Sequence, residues 1–391
     1  MSELSSYAFG SYGFLMTTIG DFDEASRFGS LALRLMERFR EDARTLITVY
    51  GLLHHLKNPI LDTTGPVLRA YRVALSQGDL IFAGQASATH CLGMFVAGLG
   101  LGNIISDLFR FCDQLKTCNQ FLLWNRLATI QRSLLELTNR SDEMSRLTGT
   151  VLDDEEFEEY LKRVKADAPV SFFYMFTTIC RFYLGDIESA FKFGEKAWRS
   201  KSLRDASIFA VPCFLFSALT ALDHWKRTGR MHFRYWRIFR KNHRELKTWA
   251  RKGNPNTSHF VTLLDAELLV VRKANASEVR DTYDRSIAMA SRAGLVNDAA
   301  LANERVGSYF LDIMDSHWAS HYLTRALELF DAWGASAKVH QLEKTYGNLV
   351  HDDAPSQQQD LAVEGRSRQP SIVLVEEELS SPILPMGPPA A

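Results

Sequence analysis

From residue 1 to about residue 350, apolar side chains recur at spacings of three and four, and short runs of Gly, Asn, Asp or Pro break the pattern. Such a period places the apolar residues on one face of a helix, and no segment shows the strict alternation of a strand. The pattern predicts about fifteen to seventeen helices, neighbours running antiparallel through tight turns.

The turns repeat a phrase. Gly-Asp-x-x-x-Ala stands at 20–25 (GDFDEA), 78–83 (GDLIFA) and 185–190 (GDIESA). Glycine suits the left-handed residue that ends one helix, and the following Asp can accept a hydrogen bond from an exposed N–H that begins the next. Gly20 and Asp21, and likewise Gly185 and Asp186, are therefore read as turn and cap. Glu24, three residues after Asp21, makes the first copy an acidic capping box.

After the turn, Ala25, Gly29 and Ala32 in one copy and Ala190, Gly194 and Ala197 in the other fall four and three apart. They line one helix face with small residues, which lets a neighbouring helix approach closely. Ala319, Leu323 and Ala326 repeat the scheme, with Met314 in place of the glycine, and so do Val279, Tyr283 and Ser286. These last two copies are 40 residues apart (319 minus 279), above the roughly 34 of a tetratricopeptide unit. The expected fold is all-α: a tetratricopeptide-like α-solenoid of antiparallel helix pairs in a right-handed superhelix over residues 1–350. Pairs that contact only their neighbours would make an elastic rod with a long concave groove. Residues 351–391 hold six of the eleven prolines and seven acids against two arginines, and read as a disordered tail or linker.

Charge adds little globally. Lys and Arg number 45 against 46 Asp and Glu, a net of −1, which excludes a general attraction to nucleic acid or anionic lipid. The five cysteines sit in apolar helical sequence, as reduced thiols of a cytosolic protein would. The N-terminal residues lack a secretory pattern, and no apolar run approaches the roughly 18 residues of a membrane span. A cytoplasmic location is expected.

Candidate chemistry is sparse. No phosphate-binding Gly-x-x-x-x-Gly-Lys-Ser/Thr loop, kinase-type glycine loop or His-Glu-x-x-His pair occurs. GLGLGN at 98–103 reads as a turn between helices. His54 and His55 point about 100° apart on a helix and read as a partly buried, hydrogen-bonded pair. His90 with Cys91 reads as packing. No catalytic, cofactor-binding or metal-binding residue is expected.

The strongest local feature is 226–252, with eleven Lys or Arg and one acid, Glu245. Trp236, Phe239, Leu246 and Trp249 fall on one stripe, while Arg237, Lys241, Arg244, Lys247 and Arg251 occupy the rest. Three readings stay open: a solvated face, a contact with an acidic segment, or weak salt-sensitive binding of nucleic acid or lipid. Within the chain, the acidic candidates are 153–159 (DDEEFEE), which also reads as a helix cap, and 376–378 (EEE). Arg234, Arg237, Lys241 and Arg244 are the candidate partner-binding residues.

Four stretches, beginning YGFLMTTIGDFDEA, YGLLHHLKNPI, LKTWARKGNPN and NDAALANERVGSYF, resemble in order the helical region of large hybrid signalling proteins. The last block, closing on WGA-x-AKV, is the most specific. In that family a serine/threonine kinase-like domain and a P-loop ATPase precede the helical region, and a GAF sensor and a histidine kinase follow it. None of those modules matches here, so none of their nucleotide or phospho-acceptor residues carries over. The resemblance implies a non-catalytic interaction and regulatory region of a cytosolic sensor histidine kinase type protein, its partners being proteins or neighbouring signalling domains. An arm of a nucleotide-switched transcriptional regulator, sensing a ligand or partner, is the alternative.

Overall fold

The computed structural model describes residues 4–144, 153–165, 167–199, 208–228 and 233–350. Among these residues there are seventeen α-helices and no strand. The odd-numbered helices are α1 (Leu4–Thr18), α3 (Ala43–Thr48), α5 (Leu80–Val96), α7 (Phe121–Leu137), α9 (Asp167–Tyr183), α11 (Ala210–Thr228), α13 (Ser258–Val271), α15 (Val296–Asp312) and α17 (Ser336–Val350). The even-numbered ones are α2 (Phe22–Met36), α4 (Thr64–Ser76), α6 (Leu101–Thr117), α8 (Asp154–Arg163), α10 (Ile187–Arg199), α12 (Phe233–Arg251), α14 (Ala276–Arg292) and α16 (Ser316–Trp333). All belong to one unit, Met1–Val350. The tail at 351–391 lies outside the described residues.

Consecutive helices pack as an all-α solenoid, and the sequence explains its two layers. Even helices such as α2, α10 and α12 bury one stripe and turn a charged face outward. Odd helices such as α5, α7 and α11 are enclosed on most sides; in α11 every residue from Ala210 to Leu222 is buried. A helix apolar on most sides must have neighbours on most sides, so α5 and α11 lie in the inner layer.

The repeated phrase behaves as the sequence predicts. Gly20, Gly78 and Gly185 have φ of +79°, +72° and +82°, the left-handed region open to glycine. Asp21, Asp79 and Asp186 accept from the N–H of Glu24, Phe82 and Ser189 at 3.0, 3.2 and 3.1 Å. Met314 takes the same left-handed turn without being glycine, at φ +63°, and Asp315 caps α16 after it. The small faces are buried: Ala25, Ala32, Ala190, Ala319 and Ala326 are within the core. A Cβ on Gly29 would stand 3.3 Å from Leu53 and one on Gly194 3.4 Å from Thr178, so both helices approach at contact distance. One detail differs. Asp21 caps α2, but the acid three residues on is turned to Arg27 at 3.0 Å; the reciprocal capping box forms instead at Asp153 and Glu156.

The expectation that helix pairs touch only their neighbours fails. Lys252 donates to the Gly20 carbonyl at 2.6 Å, 232 positions away, and its ammonium lies over Phe22. Asn254 donates to the His55 carbonyl, and Asn256 donates to those of His55 and Asn58. Further on, the Gly98 turn lies against Val296 and Asn297, and the Gly334 turn against Leu101. Phe95 and Tyr183 each meet Trp333 at 5.7 Å. The superhelix therefore closes on itself along this line of turns, and the side chains that would edge an open groove are core. The physical reason is compositional: α5, α7 and α11 are too apolar on their free faces to border water.

Candidate functional site

Two places on this fold gather charged side chains. The first is on the inner layer, between α11, α13, α15 and α17. Arg305 reaches Asp223 at 2.5 and 2.8 Å and Glu267 at 2.5 Å, while Lys226 bonds Glu267 at 3.0 Å and Tyr283 donates to it at 2.9 Å. Beside them Lys338 bonds Glu304 at 2.5 Å. Glu267 is wholly buried and Lys338 nearly so.

Burial opposes every one of these charges, and the partners decide the outcome. Arg305 and Lys226 hold the Glu267 carboxyl well below its usual range despite desolvation. Against the same penalty, Asp223 and Glu267 keep Arg305 well above its own. For Lys338, burial wins over Glu304 and its pKa falls. A cleft of about 360 Å³ opens beside this network. The buried charges neutralise one another, so the unpaired ions at the cleft are Arg227, which donates to the Gly185 carbonyl, and Asp312, among the described residues.

Nothing in the sequence reading singled out Asp223, Glu267, Glu304, Arg305 or Lys338. Glu267 sits in LLDAELLVV, and an acid inside so apolar a helix is the signal that was available.

The second place is the basic helix α12. Phe239, Leu246 and Trp249 are buried as predicted, joined by Asn242 and His243, while Trp236 is half-buried and stacks on Phe239 at 5.6 Å. The four candidate residues Arg234, Arg237, Lys241 and Arg244 are all exposed. At intervals of three, four and three they lie along one exposed stripe of α12. Arg234 is paired with Glu195 of α10, and the Lys241 ammonium lies 4.7 Å from the ring centre of Trp198 on the same helix. Arg237 and Arg244 have no carboxylate partner among the described residues.

The acidic segment at 153–159 is not the partner of this helix. Asp154 holds Arg132 and Arg181, Glu155 holds Lys192, and Glu158 holds Lys162 and Lys196. Its charges are spent beside α7, α9 and α10, where its own helix packs. The acids at 376–378 lie outside the described residues.

Between α12 and α13 the surface carries a groove of about 660 Å³. Trp236, Val261 and Leu268 contribute its apolar floor, and Arg240, Arg244 and Arg251 its rim. Asp265 binds Lys247 at 2.7 Å and His243 at 3.1 Å, which holds its carboxyl below the usual value and ties the two helices together there.

The histidine reading needs a correction. His54 accepts at its carbonyl from the Asn58 amide at 3.0 Å, but both ring nitrogens of His55 are buried without a hydrogen-bond partner. The helix tightens after a π-turn at Val49–Leu53 and swings His55 into the core beneath Asn254 and Asn256. Burial, aided by neighbouring His54, pushes its pKa down to about 3. His90 packs as expected, with Nδ1 3.0 Å from the Thr64 carbonyl. The thiols of Cys91 and Cys180 are pushed well up by burial, and that of Cys112 to about 12, which marks them as inert packing groups. Among the described residues no three His, Cys, Asp or Glu side chains gather as a metal site, and no helix is long and apolar enough to cross a membrane.

No family model matches the chain. No curated protein matches it either. Among solved structures it is similar to a circular tandem repeat protein with novel repeat topology and enhanced subunit contact surfaces. The two are 12% identical over 89% of this chain and 95% of that one, with a TM-score of 0.21. At that score the likeness carries no argument, and the fold rests on the helices described above.

Proposed function

We propose that this chain is a non-catalytic protein-interaction and regulatory region of a cytosolic signalling protein of the sensor histidine kinase type, linking partner binding to attached signalling domains. The observation that carries the reading is the uncompensated basic face of α12. Arg305, Glu267 and Lys338 are buried and paired, yet Arg237, Arg240, Arg244 and Arg251 face water with no carboxylate partner among the described residues. Exposed like charges repel one another and lower stability slightly, so a face that keeps them together is best explained by a partner that neutralises them.

Closure of the superhelix bears on how coupling would work. A rod open along its length would transmit a partner's pull by bending. A closed body moves as a unit, so binding at α12 would act by placing the whole body, and the domains joined to it, against the partner.

Two measurements test the reading. An immunoblot from source cells gives the mass of the native polypeptide, and a band several times the 44.3 kDa of this chain is expected. A pull-down compares the unaltered protein with a variant carrying Arg234→Glu, Arg237→Glu, Lys241→Glu and Arg244→Glu. Loss of the captured signalling partner in the variant supports the reading; identical capture overturns the basic face as its site.

A further inference from the structure

We infer that the groove between α12 and α13 is a docking site for an acidic amphipathic helix of a protein partner. This rests on the reading of α12 as an interaction surface, and it names the occupant.

Spacing is the first argument. Arg240, Arg244, Lys247 and Arg251 follow one another at intervals of four, three and four along α12. On α13, Val261, Asp265, Leu268 and Arg272 do the same. Seven of the eight line the groove, and Asp265, bonded to Lys247, lies on the side of α13 that faces α14. A stripe of this period runs along a helix axis, here for about 17 Å on each wall. The occupant that matches two straight parallel stripes is a third helix, presenting residues at the same intervals of three and four.

Chemistry is the second argument. One wall is cationic: among the described residues Arg240, Arg244 and Arg251 have no carboxylate partner, and neither has Arg272 at the end of the other wall. Lys247 alone is neutralised, by Asp265. The floor between them is apolar, made of Trp236, Ala250, Val261 and Leu268. A complementary helix carries acids along one edge and aliphatic side chains beside them. A peptide of acids alone would leave the floor wet, and an apolar helix would leave four guanidiniums, of Arg240, Arg244, Arg251 and Arg272, without an anion.

A polyanionic nucleic acid fits less well. The partly exposed ring of the groove, Trp236, already carries the Arg240 guanidinium 5.8 Å from its centre, Val261, Leu268 and Ala250 give a base nothing to stack on, and the net charge of −1 supplies no long-range field toward a polyanion.

The test uses the full chain and labelled probes, with fluorescence anisotropy as the readout. The first probe is a Leu and Glu peptide of about sixteen residues, long enough to span the stripes, with leucines at intervals of three and four. The second has the same composition in scrambled order, and the third is a single-stranded oligothymidine. The patterned peptide is expected to bind at least about tenfold more tightly than the scrambled one. Arg244→Glu with Arg251→Glu should weaken it by an order of magnitude, while Arg72→Glu, an exposed change on α4 away from the groove, leaves it unaltered. Circular dichroism melts confirm that each variant folds. Equal binding of patterned and scrambled peptides, absence of binding, or tighter binding of the oligothymidine overturns the inference. Such a failure leaves the interaction reading standing if the four-residue reversal still abolishes capture of the cellular partner. If capture persists, that reading fails separately.

Discussion

Asn256 and Ile60 are 196 positions apart, and the Asn256 side-chain oxygen accepts the Ile60 backbone N–H at 2.9 Å. The amide end of the same side chain donates to the carbonyls of His55 and Asn58 at 2.8 and 2.9 Å. One side chain thus satisfies three backbone groups of a distant loop. Replacing it with Ala leaves those groups without their partner in a partly enclosed place, and the expected cost is about 3 kcal/mol. Urea unfolding followed by circular dichroism measures it; a loss no larger than that of an exposed surface change would show that the loop does not depend on this residue.

Arg305 stands between Asp223 and Glu267, and removing it leaves two carboxylates without their guanidinium in a dry place. Arg305→Met is expected to destabilise the fold by about 3 to 5 kcal/mol. Adding Asp223→Asn and Glu267→Gln to the same variant should recover much of that loss, because the stranded charges go with it. If the triple variant is no more stable than the single one, the damage is to packing and not to charge balance.

His55 makes stability depend on pH with a definite sign. Its folded pKa, near 3, lies below the ordinary 6.5, so the unfolded chain takes up a proton that the folded one refuses. Stability from this group is fully present above 6.5 and falls by about 1.4 kcal/mol for each unit of pH below it. Half-buried His54 is shifted in the same direction by desolvation and adds to the trend. From pH 6.5 down to 5.5, a full unit above the ordinary glutamate value of 4.5, His55→Leu is expected to flatten the slope by an amount that grows toward one proton. Urea midpoints across that window give the slope, and an unchanged slope would contradict a neutral, enclosed imidazole.

Gly78 and Gly98 separate two costs. Both have a left-handed backbone, at φ +72° and +69°, so Ala is strained at either. A Cβ on Gly78 meets nothing, whereas one on Gly98 runs into the Asn297 side chain and stands 3.0 Å from the Val296 nitrogen. Gly78→Ala should cost about 1 kcal/mol, and Gly98→Ala about 2 kcal/mol more. Thermal melts of the two variants make the comparison, and equal losses would mean that the Gly98 turn is not pressed against α15.

What the sequence disclosed was local. A helix stop, an aspartate cap and a small face are each decided within one turn, so Gly20, Asp21, Ala25 and their counterparts can be read in isolation. The inner charges could not be read that way. Arg305 finds Asp223 82 positions upstream, and nothing in ANERVGSYF says that a guanidinium there will be enclosed. The asparagines of KGNPNTSH look like any loop, yet two of them bind the His55 carbonyl about 200 positions away. On α12 the cationic face was legible from the spacing of its arginines and lysines; of the four candidate residues Arg244 also lines the groove, and the groove itself depends on how α13 packs beside it.

The line of contacts joining Gly20 to Lys252 and Leu101 to Gly334 has a consequence for how this chain can change. In an open array, a helix pair can be duplicated or lost and the remaining pairs keep their neighbours. Here the interval between the joined turns acts as a fixed circumference. One pair more or fewer would carry Lys252 and Asn256 past the loops they hold, and α5 and α9 would meet something other than Trp333. The number of pairs between those points is therefore a property of the fold itself, as the number of staves is of a barrel.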